Sequence, residues 1–309
     1  SRNIRIMERI NRGEILFLVK INYPYMLRLA ILIFGLSSFS CKSEEPAAPK
    51  INVLDLPIIP PKEYTFAATP FWADEFDKDG LPDPTKWGYD VGNSGWGNNE
   101  LQNYTKANIK NAHIENGILT IEAIKETAGT SAYTSARLVT KGKNDFLYGR
   151  VEAKAKIPAG RGNWPAIWML ASQSDYGSQF WPDNGEIDIL EHVGYDPGVM
   201  HASIHTKAFN HVIGTQKTAT TLLDKWDTEF HVFRIDWTPD YIRAFIDGKQ
   251  YFEFQNPKGG WEQWPFDKKQ HILMNLAIGG NWGGQKGVDD SIFPNKFQID
   301  YVRVYALNP

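Results

Sequence analysis

The sequence predicts an all-β sandwich or barrel, and three observations predict it. From Tyr64 onward apolar residues recur mostly at every second position, a turn dipeptide joins two alternating runs, and neither a long amphipathic helix nor an internal repeat is evident. Clusters of Gly, Pro and Asn punctuate the runs, as turns between short strands require.

Each element follows from its own pattern. Leu119, Ile121 and Ala123 alternate with polar neighbours. In Val151-Glu-Ala-Lys-Ala-Lys-Ile157, apolar Val151, Ala153, Ala155 and Ile157 alternate with charged Glu152, Lys154 and Lys156, which describes a strand with one buried and one wet face. Asp247-Gly248 separates the strand-like stretches of Tyr241–Phe254, a strong hairpin signal because both central positions of such a turn need φ > 0. Phe297–Tyr305 is a further alternating strand.

Composition bounds the function. The chain has 309 residues, 42% apolar content and a formal net charge of -3, enough for one large buried core and without the basic stripe a nucleic-acid partner needs. Aromatics are abundant, with 11 Trp, 13 Tyr and 17 Phe. They suit either a ring-rich core or a cleft whose indole faces stack on sugars. The single cysteine excludes an internal disulfide. It follows Met26–Ser40, a short basic start and an apolar run too short for a comfortable membrane span, which is the layout of a secretory signal. Cys41 therefore resembles the lipid acceptor of a bacterial lipoprotein; the alternative is a free thiol near a cleavage site. The expected organisation is an over-extended start at 1–25, a lipoprotein-type signal at 26–41, a Pro-rich linker at 42–63 and a catalytic domain at 64–309. The expected location is the outer membrane or cell surface, with the lipid anchored in a bacterial membrane and the protein a monomer.

The sharpest chemistry lies in Gly185-Glu-Ile-Asp-Ile-Leu-Glu-His192. Glu186 and Asp188 are two apart and share a face; Glu191 is five from Glu186 and would point away in a regular strand. Ile189 and Leu190 are adjacent where alternation would put a polar residue, so the phase slips there. A bulge near Ile189 or Leu190 would return Glu191 to the face of its partners. Three carboxylates on one face repel, and at least one should hold its proton near neutral pH. Glycoside hydrolysis with retention needs this difference, a carboxylate nucleophile and a carboxylic acid roughly 5–5.5 Å apart. A bare Glu-x-Asp-x-x-Glu otherwise describes a solvated strand face or a calcium site, although a metal cage is normally built on a loop.

These residues resemble glycoside hydrolase family 16, in particular its laminarinase-type β-1,3-glucanases, over residues 70–306. The agreement runs through Phe71–Phe76, Trp96–Tyr104, Ser135–Lys141, Tyr148–Glu152, Asn163–Leu170, Gly185–His192, Asn275–Gly283 and Ile299–Tyr305. The resemblance implies a concanavalin-like jelly roll of two curved antiparallel sheets with a concave substrate cleft. It implies Glu186 as nucleophile, Glu191 as general acid/base and Asp188 between them, tuning both. It implies no cofactor for catalysis, and a structural calcium held by Glu75, the Gly117 carbonyl and Asp300; Asp300 might equally pair with a neighbouring Arg.

Trp164 and Trp168 share a strand face by period two and are expected in the cleft, with a core position as the alternative. Arg137 would bond sugar hydroxyls or form a surface salt bridge. Asn99 and Glu100 are expected at the glycone end, or as turn residues. His205 is expected beside the acid/base or as a satisfied core histidine; with His201 it makes a poor zinc site. Asn281 and Trp282 lie in a Gly-rich loop, where Trp282 would stack on a sugar or merely decorate a tight turn. The expected activity is retaining endo-hydrolysis of β-1,3-glucan, with mixed β-1,3/1,4 chains as further substrates. The alternatives are a hydrolase of agar- or carrageenan-type galactan and a non-catalytic carbohydrate-binding lipoprotein.

Overall fold

The structure, a computed structural model, describes residues 62–309. Cys41 and the signal segment lie outside the described residues, as does the 42–63 linker apart from Lys62 and Glu63. Glu63 is ion-paired to Arg243 at 2.7 Å.

Two antiparallel sheets carry the fold. With strands numbered along the chain, the eight-stranded sheet runs β15 (Lys249–Gln255), β14 (Tyr241–Ile246), β13 (His231–Trp237), β8 (Gly149–Lys156), β17 (Asn295–Tyr305), β5 (Ile118–Ala123) and β4 (Ala112–Glu115), with β1 (Trp72–Asp74) also on β17. The seven-stranded sheet runs β12 (Lys217–Leu222), β11 (Val199–His205), β10 (Glu186–Glu191), β9 (Asn163–Ala171), β16 (Gln270–Ile278), β7 (Arg137–Val139) and β2 (Gly88–Asp90). A short parallel pair, β3 (Gln102–Tyr104) and β6 (Tyr133–Ser135), completes the set. Among the described residues the helical segments are two single 3-10 turns, as the period-two pattern predicts.

The alternation in β8 becomes burial directly. Val151, Ala153 and Ala155 enter the core while Arg150, Glu152, Lys154 and Lys156 remain partly exposed. Phe233, Ile235, Phe297, Ile299, Val302 and Val304 join them from neighbouring strands. The facing sheet contributes Ile167, Met169, Ile187, Ile204, Ile272, Met274 and Leu276. Fully burying each of these large side chains stabilises the fold by about 1.5–3 kcal/mol against exposure. The Asp247-Gly248 turn joins β14 to β15, with φ of 48° and 79° at the two positions, matching the hairpin expected of that dipeptide.

Because β10 packs Ile187 into the sandwich, its carboxylates must occupy the opposite face. The seven-stranded sheet therefore presents its functional side chains outward, over a floor made rigid by the core beneath.

Candidate active site

Strand register decides where the three acids point. Glu186 pairs with Leu170 on β9 and with His205 on β11, and Glu191 pairs with Ala166 and His201. Six residues of β10 thus face five residues on each neighbour. The extra residue is absorbed between Asp188 and Leu190, where the β9 pairing shifts. Ile189 and Leu190 are both fully buried, so the adjacent apolar residues mark a bulge that swings Glu191 back beside Glu186 and Asp188. Gly185 sets the entry to this strand. At φ 83° it favours glycine, and a Cβ there would come within 2.8 Å of Pro265 and Phe266.

The acids are distinguished by their surroundings. Asp188 is 2% exposed; burial, then the charges of Glu191 and Glu186, push its carboxyl well above the usual range. Glu191 is half-buried as a residue, but its carboxyl sits deep. Burial and the Glu186 charge raise it to about 8, while the Trp164 indole N–H, donating at 3.1 Å, pulls the other way. Glu186 accepts the Trp181 indole N–H at 2.5 Å. Chemically the strand therefore offers a carboxylic acid that stays protonated at neutral pH beside a carboxylate held by an indole donor, the two partners of a double displacement.

On one flank of β10, Trp164 and Trp168 lie on the carboxylate face. Trp168 donates to Asn275 (2.7 Å), Asn275 donates to the Tyr104 hydroxyl (3.0 Å), and Tyr104 in turn reaches Glu100 (3.4 Å). Arg137 does form an ion pair, but from an enclosed position. It is 9% exposed, stacked between the rings of Trp96 and Trp168 at 4.8 and 4.7 Å, and paired with Asp90 at 3.0 Å. Glu100 takes bonds from Gln102 (2.7 Å) and Asn98 (3.4 Å), and burial raises its carboxyl. Asn99, at φ 54°, donates to Asn281 across the loop pair at 2.8 Å. Asn99 and Asn281 thus do serve loop geometry, and they do so at the rim of the same face.

On the other flank, His205 departs from expectation. It stands opposite Glu186, not Glu191, with Nε2 at 3.3 Å from Asp188. The neighbour of Glu191 is His201, because antiparallel pairing reverses the order of the two histidines. Burial lowers both imidazoles. Trp282 packs edge-on against Trp164 (5.4 Å) and His201 (4.8 Å), so it completes a wall beside Glu191.

Sequence reasoning missed Trp181, Asn275, Tyr104, Trp96, Asp90 and His211. Trp181 lies in the loop before β10, where no periodicity operates. Asn275 did carry a signal, as an amide set between Met274 and Leu276 in a wholly buried strand. A cavity of about 420 Å³ lies elsewhere, lined by Phe71, Asn144, Phe146 and Lys269 among others, and contains none of the three acids; chemistry, not volume, locates the site.

Glu75, Gly117 and Asp300 lie where β17 passes from β5 to β1, Asp300 being the bulged residue between Ile299 and Tyr301. Arg303 binds both oxygens of Glu75 (2.8 and 2.7 Å), and Lys154 pairs with Asp300 at 2.6 Å. The side chains fit an ion-paired seam better than an open oxygen cage; calcium there would have to displace Lys154.

The glycosyl hydrolases family 16 model matches residues 98–303. The chain belongs to that family. Family 16 membership is supported by 55% identity over 239 residues to a beta-glucanase of Rhodothermus marinus, covering 76% of this chain and 84% of that protein. A glucan endo-1,3-beta-glucosidase of Cryptopygus antarcticus is 36% identical over 253 residues, covering 77% and 92%. The solved laminarinase of Rhodothermus marinus superposes with a TM-score of 0.77 at 52% identity, covering 80% of this chain and all of that one.

Proposed function

We propose that this protein is a retaining endo-hydrolase of β-1,3-linked glucan, with mixed β-1,3/1,4-glucan as a further substrate. One observation carries the mechanism: a single bulged strand brings Glu191, whose buried carboxyl is raised to about 8, onto the same face as Glu186, which accepts an indole N–H. Glu186 attacks the anomeric carbon as Glu191 delivers its proton to the departing glycosidic oxygen, leaving a glycosyl ester on Glu186. Glu191, now a carboxylate, takes a proton from water, which attacks the same carbon and restores both groups with the original configuration. Asp188, buried between them, supports the proton distribution.

The substrate class rests on the relatives, which are named for β-glucan and endo-1,3-β cleavage, and on the indole surfaces of Trp96, Trp168 and Trp282. The test is a reducing-sugar screen of laminarin, lichenan, agarose and carrageenan, with the anomer followed by NMR. We expect oligosaccharides from laminarin, initially as the β-anomer; a preference for agarose, or an initial α-anomer, would overturn the reading. We also propose that the enzyme acts as a monomer held at the cell surface by lipid on Cys41. Palmitate labelling that persists in Cys41→Ser would refute the anchor.

A further inference from the structure

The half of the catalytic face that carries β11 combines carboxylates with imidazole. One oxygen each of Glu186 and Asp188 and a ring nitrogen of His205 all lie within 4.8 Å of one another. Register makes this set, since Glu186 stands directly opposite His205. Donors around a tetrahedral ion with bonds near 2.1 Å are roughly 3.4 Å apart, so modest side-chain rotations close the set. Both Asp188 oxygens are buried without a hydrogen-bond donor, and the residue is 2% exposed. His205 is 7% exposed, with Nε2 aimed at Asp188 at 3.3 Å. The Trp181 indole occupies only Oε2 of Glu186, leaving Oε1 free.

We propose that Glu186, Asp188 and His205 form an inhibitory binding site for a divalent late transition-metal ion, copper(II) or zinc(II). Two carboxylate oxygens and one imidazole are a mixed O/N set that such ions favour, with copper(II) bound most tightly in the Irving–Williams order. His211 stands at the mouth, its ring 5.2 Å from that of His205 and 5.1 Å from that of Trp181, where it can supply a second nitrogen. The ion bonds to Glu186 through the lone pair the nucleophile needs, and it occupies space that the sugar must enter. Inhibition is therefore competitive with glucan; this clause alone rests on the hydrolase reading.

The test titrates the full chain with copper(II) and zinc(II) by calorimetry and records the copper(II) EPR spectrum, alongside Cys41→Ser to remove the only thiol. The expected result is one ion per chain and nitrogen hyperfine splitting, both retained in Cys41→Ser. His205→Asn should weaken binding at least tenfold and remove one nitrogen from the hyperfine pattern, whereas His113→Asn, on the other sheet, should change neither. Circular dichroism establishes that His205→Asn is folded, and Asp188→Asn supplies a second variant that should also weaken binding tenfold. Binding unchanged in both, or no binding to the native chain, overturns the proposal. Rate measurements add the competitive pattern; absence of hydrolysis without metal would count against the enzymatic reading and leave the binding result standing.

Discussion

The outer faces of the two sheets treat charge in opposite ways. On the eight-stranded sheet, acids are matched with cations: Arg150 with Asp236 (2.7 Å), Lys154 with Asp300 (2.6 Å), Arg303 with Glu75 (2.7 Å) and Arg243 with Glu253 (2.8 Å). On β10, three acids crowd one face, and among the described residues their side-chain partners are indoles and an imidazole, not lysine or arginine. Pairing on the first face makes charge inexpensive and chemically silent. Withholding cations on the second leaves repulsion and burial to raise proton affinity, which costs stability and creates a carboxylic acid at neutral pH.

Charge removal on each face sharpens this contrast. Glu186→Gln should lower hydrolysis of laminarin on the order of 10⁴-fold, the scale of losing a nucleophile, with the thermal melt retained. Glu191→Gln should cost roughly 10²–10⁴-fold on glucan, and far less on an aryl glycoside whose leaving group needs no proton. Arg303→Gln on the opposite sheet should leave kcat/KM unchanged and shift stability by only about 0–1 kcal/mol. A large activity loss in Arg303→Gln would break the comparison.

The pH dependence follows from Glu191. Its proton persists in the folded state to about pH 8 against the ordinary carboxylate value of 4.5. Between those values the folded state binds more protons than the unfolded, so stability declines as pH rises through the window. Denaturant melts of Glu191→Gln should show a shallower decline, with Asp188 supplying the remainder in the same direction. In the native enzyme kcat/KM should fall on the alkaline side near pH 8. Trp164→Phe removes a donor that favours the carboxylate, so the alkaline limb should move to higher pH; a limb that moves down would contradict the role given to that indole. On the catalytic face the smallest effect is expected from Arg137→Lys, which keeps the charge facing Asp90 but loses the planar stack between Trp96 and Trp168. A KM increase of roughly three- to tenfold is expected, on the scale of one cation–π contact of about 1 kcal/mol.

Much of this architecture was legible one strand at a time. Val151–Ile157, the Asp247-Gly248 hairpin and Phe297–Tyr305 appear as strands where alternation predicts them, because a half-buried strand writes its two faces into every second residue. The adjacent Ile189 and Leu190 likewise announced the bulge. Trp181 was illegible because loops carry no period, and the Arg137 bracket was illegible because it joins Asp90, Trp96 and Trp168 from three separate segments. Of the two readings of His205, the one beside Glu191 fails because spacing along β11 does not reveal which of its residues meets Glu186.

What the linear chain determined by itself is the all-β class, the phase slip in β10 and the identity of the three acids, since these depend only on periods within one strand. Tertiary structure alone decided which donor serves which carboxylate, that Arg137 is enclosed, and that Glu75 and Asp300 are neutralised by Arg303 and Lys154. The reason is that these contacts arise between segments far apart in the chain, whose meeting is set by strand order and register rather than by any local pattern.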